Sequence, residues 1–265
     1  MKNVLVILSA FLIVSCGTAV RANAEAGKLS KPTFKDVRYS EKYERSVMDI
    51  WLTDSQDPAP VLVYFHGGGF KGGDKKKVYN KGIYNQVPDL GAVLVSANYP
   101  FIHQLGYDKP YGAKENKHAP LEYYETVIKA AHEAIIYLRK NAAKYGIDPN
   151  KIMITGSSAG ATIAEVIGLA LDDNIIGLLP TGHPALSTPQ IVSLIDKDDP
   201  PMVIIWSKSG LKDEVHHPSG SKLLHQGCVN RGLDCELYGI PKRNGLPALP
   251  KGQTPVDVLF SKVLK

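Results

Sequence analysis

The chain has 265 residues, 44% of them apolar and 22% charged, with a formal net charge of +5. That length can bury one full core, and the balance is that of an ordinary globular protein. The positive charge is too mild to argue for a nucleic-acid partner.

The first residues differ from the rest. Lys2 opens the chain, Val4 to Val14 is an apolar run too short to span a bilayer, and Ala22-Asn23-Ala24 has the small-residue pattern of a cleavage site. Residues 1–24 therefore read as a secretory signal peptide. Ile13-Val14-Ser15-Cys16 supports a second reading, a bacterial lipoprotein signal with lipidation at Cys16; in that case alone a membrane contact is expected. Removing residues 1–24 takes away Lys2 and Arg21 and no acidic residue, so +5 becomes +3.

From Lys28 onward strands alternate with helices, the pattern of a mainly parallel sheet covered on both faces. Phe34–Tyr39 and Val47–Leu52 predict an antiparallel opening pair. Val61–Phe65 and Ala92–Ala97 are short, apolar and β-branched, as buried parallel strands should be. After Pro120, the residues Leu121, Tyr124, Ile128, Ala131, Ile135, Leu138 and Ala142 recur at steps of three and four and make one helical stripe, with Gly146 as its C-cap. Ile152–Thr155 predicts a strand and Ala159–Leu171 a helix. Ile175–Leu179 and Met202–Trp206 predict two further strands, Lys222–Asn230 a helix, Cys235–Tyr238 the eighth strand and Val256–Val263 a closing helix. The fold class is thus α/β, an eight-stranded mostly parallel sheet flanked by helices. The short stretch between Leu179 and Pro200 has no room for a large lid, so an open site is expected.

Three smaller features bound the chemistry. Lys75-Lys76-Lys77 reads as a solvated loop. Cys228 and Cys235 suit a disulfide in an oxidising compartment, with two reduced buried cysteines as the alternative. No cysteine or histidine spacing suits a metal, His216-His217 being adjacent, and no cofactor is expected.

Two motifs carry chemistry. Gly156-Ser157-Ser158-Ala159-Gly160 lies between a predicted strand and a predicted helix, the setting of a nucleophile elbow, in which small residues allow a sharp turn that lifts Ser158 clear. His66-Gly67-Gly68-Gly69-Phe70 follows an earlier strand and offers backbone N–H donors to an oxyanion. The G-x-S-x-G motif alone is weak, and an H-G-G-G is roughly twentyfold rarer by chance. Both together, in this order and each at a strand end, make coincidence a poor explanation. Gly67-x-Gly69-x-x-Gly72 formally matches a dinucleotide fingerprint, but Asn98 stands where that fingerprint needs an acid. No Lys-Ser or Lys-Thr pair follows Gly72-Gly73, which excludes a P-loop.

With Val95-Ser96-Ala97-Asn98-Tyr99 and Gly146-Ile147-Asp148-Pro149-Asn150-Lys151-Ile152, these motifs make the chain resemble the α/β-hydrolase superfamily, in its small secreted esterase and carbohydrate-esterase branch. The likeness implies an α/β-hydrolase domain over residues 28–265. It implies a secreted serine hydrolase that cleaves carboxylic esters through an acyl-enzyme on Ser158, with Gly68, Gly69 and Ala159 as oxyanion donors and His66 as a brace. Short acyl groups on a small molecule or an extracellular polysaccharide are the substrates it suggests.

The superfamily order is serine, then acid, then histidine. The acid usually follows the seventh strand, where Asp213, two residues before Val215, matches best and Glu214 second; a solvated loop charge is the plainer alternative for either. The base usually follows the last strand. Here that loop, Gly239 to Leu246, has no histidine, and Asn244 stands where the base is expected. An amide cannot take a proton. Three readings stay open. His216 or His217 serves as base from the acid loop, since Asp213 to Pro218 and Cys228 to Tyr238 resemble stretches of some secreted bacterial hydrolases. His103 or His183 reaches in from elsewhere. Or the base is missing, and the chain is a catalytically impaired binding protein of this fold.

Overall fold

A computed structural model describes residues 28–55, 58–105, 124–207, 213–240 and 245–264. The expected signal peptide and Cys16, the expected helical position Leu121 and the base-loop residue Asn244 lie outside them.

Eight strands form one sheet in the order β1-β2-β4-β3-β5-β6-β7-β8. They are β1 (Phe34–Arg38), β2 (Val47–Trp51), β3 (Ala59–Phe65), β4 (Val93–Ala97), β5 (Ile147–Ser157), β6 (Ile175–Thr181), β7 (Met202–Ser207) and β8 (Cys235–Ile240). β1, β2 and β4 pair antiparallel. From β4 across to β8 every pairing is parallel. The helices are α1 (Glu125–Lys140), α2 (Ala142–Tyr145), α3 (Ala159–Val166), α4 (Thr188–Leu194), α5 (Pro218–Arg231) and α6 (Pro255–Val263).

The central strands are apolar on both faces because both faces are covered. Val61, Val63, Phe65, Ile152 and Ile154 point to the side packed by α1 and α3. Leu62, Tyr64, Leu94 and Met153 point to the side packed by α6 and by the 3-10 turns around Val78 and Tyr84. Alternation along each strand thus divides one apolar run between two cores.

Several bounds differ from expectation. β5 begins at Ile147 rather than Ile152, because Ala59 pairs with Ile147 across a register shift at the bottom of β3. α3 ends at Val166 and passes into a π-helical turn, Ile167–Leu171. α5 begins at Pro218 rather than Lys222, since proline at the first helical position costs no hydrogen bond. The β6–β7 connection carries only a 3-10 turn and the seven-residue α4.

The lysine run is a correction. Lys75 is not solvated: its side chain is 2% exposed, and its Nζ lies 2.8 Å from Asp36 and 2.7 Å from Asp49. Lys76 and Lys77 are exposed. Asp49 is buried on β2, so the lysine that meets it must be buried too. Cys228 and Cys235 form a disulfide that joins the end of α5 to the start of β8.

Candidate active site

Ser158 stands between β5 and α3 with φ 56° and ψ −119°. The turn needs both motif glycines. A Cβ on Gly156 would lie 2.1 Å from Gly160 O, and one on Gly160 would lie 2.0 Å from Phe65 O. The elbow therefore lies directly against the end of β3, where the glycine loop begins. Ser158 N–H donates to Thr181 O at 3.1 Å, which fixes the turn to the end of β6.

The structure brings three side chains together here. Ser158 Oγ lies 2.9 Å from His216 Nε2, and His216 Nδ1 lies 3.0 Å from Asp213 Oδ2. Asp213 Oδ1 accepts the backbone N–H groups of Val215 and His216 at 3.0 and 3.1 Å. With the carboxylate on Nδ1, the Nδ1–H donates to Asp213 and Nε2 accepts from the serine hydroxyl. Burial pushes the Asp213 carboxyl up, but the His216 ring and these backbone donors outweigh it and hold it below the usual carboxylate range. The loop is pinned from behind, because Trp206 Nε1–H donates to His216 O at 2.8 Å.

The other candidates do not join this array. His217 is the N-cap of α5: its Nδ1 accepts Ser219 N–H at 3.2 Å and lies 2.7 Å from Ser219 Oγ. Adjacent residues cannot both point into one site when one of them caps a helix. Glu214 is exposed, and Asp213 is the carboxylate that meets His216. His103 is exposed, its ring 5.6 Å from that of Phe101. His183 is fully buried, held by Glu165 at 2.7 Å and Thr188 at 2.7 Å.

The glycine loop is held on both sides. Lys71 and Gly72 N–H donate to Gly68 O at 3.1 Å each. The N–H groups of Gly68 and Gly69 are not among the donors of these loop bonds. Gly68 has φ +143, and a Cβ there would lie 1.9 Å from Gly72 O. Gly67 packs against the elbow, a Cβ on it falling 3.1 Å from Ser158 Cβ. His66 is buried, stacked on Tyr99 at 4.4 Å, with Nδ1 3.1 Å from Gly67 O. Burial pushes its pKa down to about 4, so it is neutral at pH 7. Arg45 completes the brace, donating to Tyr99 O and Gly73 O at 3.0 Å each and meeting His66 Nε2 at 3.4 Å.

Sequence reasoning missed Arg45, Trp206 and the Glu165–His183–Thr188 cluster. Only the last left a mark in the sequence, as a single acid inside the apolar run Ala159–Leu171.

Comparison with known proteins agrees with the fold. The family model described as BD-FAE matches residues 48–178. Esterase LipQ of Mycobacterium tuberculosis (strain ATCC 25618 / H37Rv) is 30% identical over 142 residues, 52% of this chain and 29% of that protein. Carboxylesterase NlhH of Mycobacterium tuberculosis (strain CDC 1551 / Oshkosh) is 27% identical over 194 residues, 69% of this chain and 55% of that protein. The chain thus spans less than two thirds of the length of either relative. A solved structure titled as a truncated form of carbohydrate esterase from gut microbiota superimposes with a TM-score of 0.62 at 19% identity, covering 82% of this chain and 89% of that one. The chain has the α/β-hydrolase fold and is similar in sequence to esterases of that superfamily.

Proposed function

We propose that the protein hydrolyses carboxylic esters through an acyl-enzyme on Ser158. The observation that carries this reading is the continuous hydrogen-bonded line from Ser158 Oγ to His216 to Asp213, 2.9 and then 3.0 Å. Serine hydroxyl is a weak nucleophile until a base takes its proton. His216 Nε2 takes it as Oγ attacks the ester carbonyl carbon, and the carbonyl electron pair moves onto oxygen. The N–H groups of Gly68, Gly69 and Ala159 receive that oxyanion, and the first turn of α3 adds its positive end. Collapse expels the alcohol, which leaves with the proton from His216. Water then gives His216 a proton as it attacks the acyl carbon, and the second collapse returns that proton to Ser158 and frees the acid. Asp213 keeps its charge throughout and stabilises the imidazolium.

Short acyl groups are the substrates we favour, because the described β6–β7 connection holds only α4 and a 3-10 turn above the sheet. A carbohydrate-linked ester would match the carbohydrate esterase among the structural relatives. Residues 1–24, read as a signal peptide or as a lipoprotein signal ending before Cys16, would carry the protein out of the cytoplasm to such a substrate.

Hydrolysis of p-nitrophenyl acetate tests the reading. Ser158→Ala and His216→Ala should each lower kcat by about 10⁴-fold or more, while His217→Ala should stay within about 2-fold of the unaltered protein. Activity that survived Ser158→Ala would overturn the acyl-enzyme; activity that survived His216→Ala would overturn the base.

A further inference from the structure

Behind the Ser158–His216 pair lies a second histidine that the ester chemistry does not use. Glu165, His183 and Thr188 are each 0% exposed. His183 Nδ1 lies 2.7 and 3.0 Å from the two Glu165 oxygens, so its N–H donates to the carboxylate. Its Nε2 lies 2.7 Å from Thr188 Oγ1. Every polar atom of the ring is therefore engaged. Burying a carboxylate and an imidazole is costly, and apolar side chains of similar volume would fill this space without that cost. The three residues also belong to three parts of the fold: α3, the segment after β6, and the first turn of α4.

The segment anchored by His183 touches both halves of the candidate site. Thr181 O accepts the Ser158 N–H at 3.1 Å. Gly182 N–H donates to Ile205 O at 2.7 Å, and a Cβ on Gly182 would stand 3.9 Å from His216 Cδ2. Ala185 N–H donates to Val215 O at 2.7 Å, one residue before His216. Gly220 of α5 sits so close that a Cβ there would lie 2.5 Å from Ala185 Cα. Residues 181–185 thus form a spacer with the nucleophile bonded at one end and the histidine loop at the other. Glu165 ties that spacer back to α3, the helix that Ser158 begins.

We infer that Glu165, His183 and Thr188 are positioning residues that set the distance between His216 and Ser158. The inference rests on the reading of Ser158 and His216 as the reacting pair. His216 lies three residues from its acid, on a loop held by Trp206 at His216 O and by the spacer, through Ala185, at Val215 O. The buried cluster keeps that spacer at one height. Displacement of a reacting group by about 1 Å costs about 100-fold in rate, so a small loss of register here is measurable.

Thr188→Val removes the hydroxyl that meets His183 Nε2 at 2.7 Å, with its longer 3.5 Å contact to Pro184 O, and keeps the volume. Thr188→Ser restores the hydroxyl. Glu165→Gln keeps the shape and removes the charge. Each protein is labelled to completion at Ser158 with a fluorophosphonate, and kcat on p-nitrophenyl acetate is divided by the labelled fraction. The expected result is a kcat per site about 10-fold lower in Thr188→Val and at least as low in Glu165→Gln, KM within about 2-fold, and recovery in Thr188→Ser. A purely structural cluster would lower the melting temperature and the labelled fraction but leave kcat per site unchanged, which would overturn the inference. An inert unaltered protein would instead defeat the ester reading. The inference is then read on the downfield Nδ1–H proton resonance of His216, which Thr188→Val should shift or broaden; an unchanged resonance would overturn it.

Discussion

Ser158 holds φ 56°, a value that a residue with a Cβ rarely adopts, and the bond from its N–H to Thr181 O keeps it there. The glycines two residues to either side allow this, which is why the nucleophile leaves a local sequence signature. His66 shows the opposite case. Nothing beside it in the sequence says that it is buried under Tyr99 and Arg45, yet that burial pushes its pKa down to about 4 from 6.5. The folded protein therefore refuses a proton that the unfolded chain accepts. The resulting stability is complete above pH 6.5, is lost as pH falls toward about 4, and changes no further below it. The shift corresponds to about 3 kcal/mol across that window. Urea melts at several pH values should show the decline, and His66→Gln should flatten it.

Among the elements, α5 carries the most information about the site. Its N-cap is His217, which removes one of two adjacent histidines from the chemistry and leaves its neighbour at the serine. Its last turn is tied to β8 by the Cys228–Cys235 disulfide, across a sequence separation of 7. A loop of that size constrains the unfolded chain by about 2–3 kcal/mol. Cys228→Ser with Cys235→Ser should lose about that much in chemical denaturation. The proposed esterase activity should persist at 25 °C, because the disulfide lies at the far end of α5 from His217. The pairing was legible as an option from two cysteines in one region; that they meet depends on where α5 ends against the sheet.

At the scale of the molecule, Lys75 joins parts that lie far apart in sequence. It follows the glycine loop, and its ammonium reaches Asp36 within β1 and Asp49 on β2. The antiparallel edge of the sheet is thereby fastened to the β3–β4 crossover. Lys75→Met would leave Asp49 buried without its cation, at a cost of about 3–5 kcal/mol. Lys75→Met combined with Asp49→Leu should recover much of that loss, and thermal melts of the two proteins compare them directly. In sequence Lys75 was indistinguishable from its two neighbours, since a run of lysines shows its charge but not which one faces inward.

The sequence by itself determined the sheet, its flanking helices, the elbow serine and the glycine loop. Each of these is a local matter, a periodicity of two or of three to four residues or a turn that demands glycine, and local physics is written in adjacent residues. Tertiary structure alone decided which imidazole meets Ser158. His103, His183, His216 and His217 are equivalent as letters, and the loop where a base is expected offers only Asn244. His216 reaches the serine across 58 residues of chain because β6 and β7 are neighbours, because Trp206 and Ala185 hold its loop, and because His217 is spent on a helix cap.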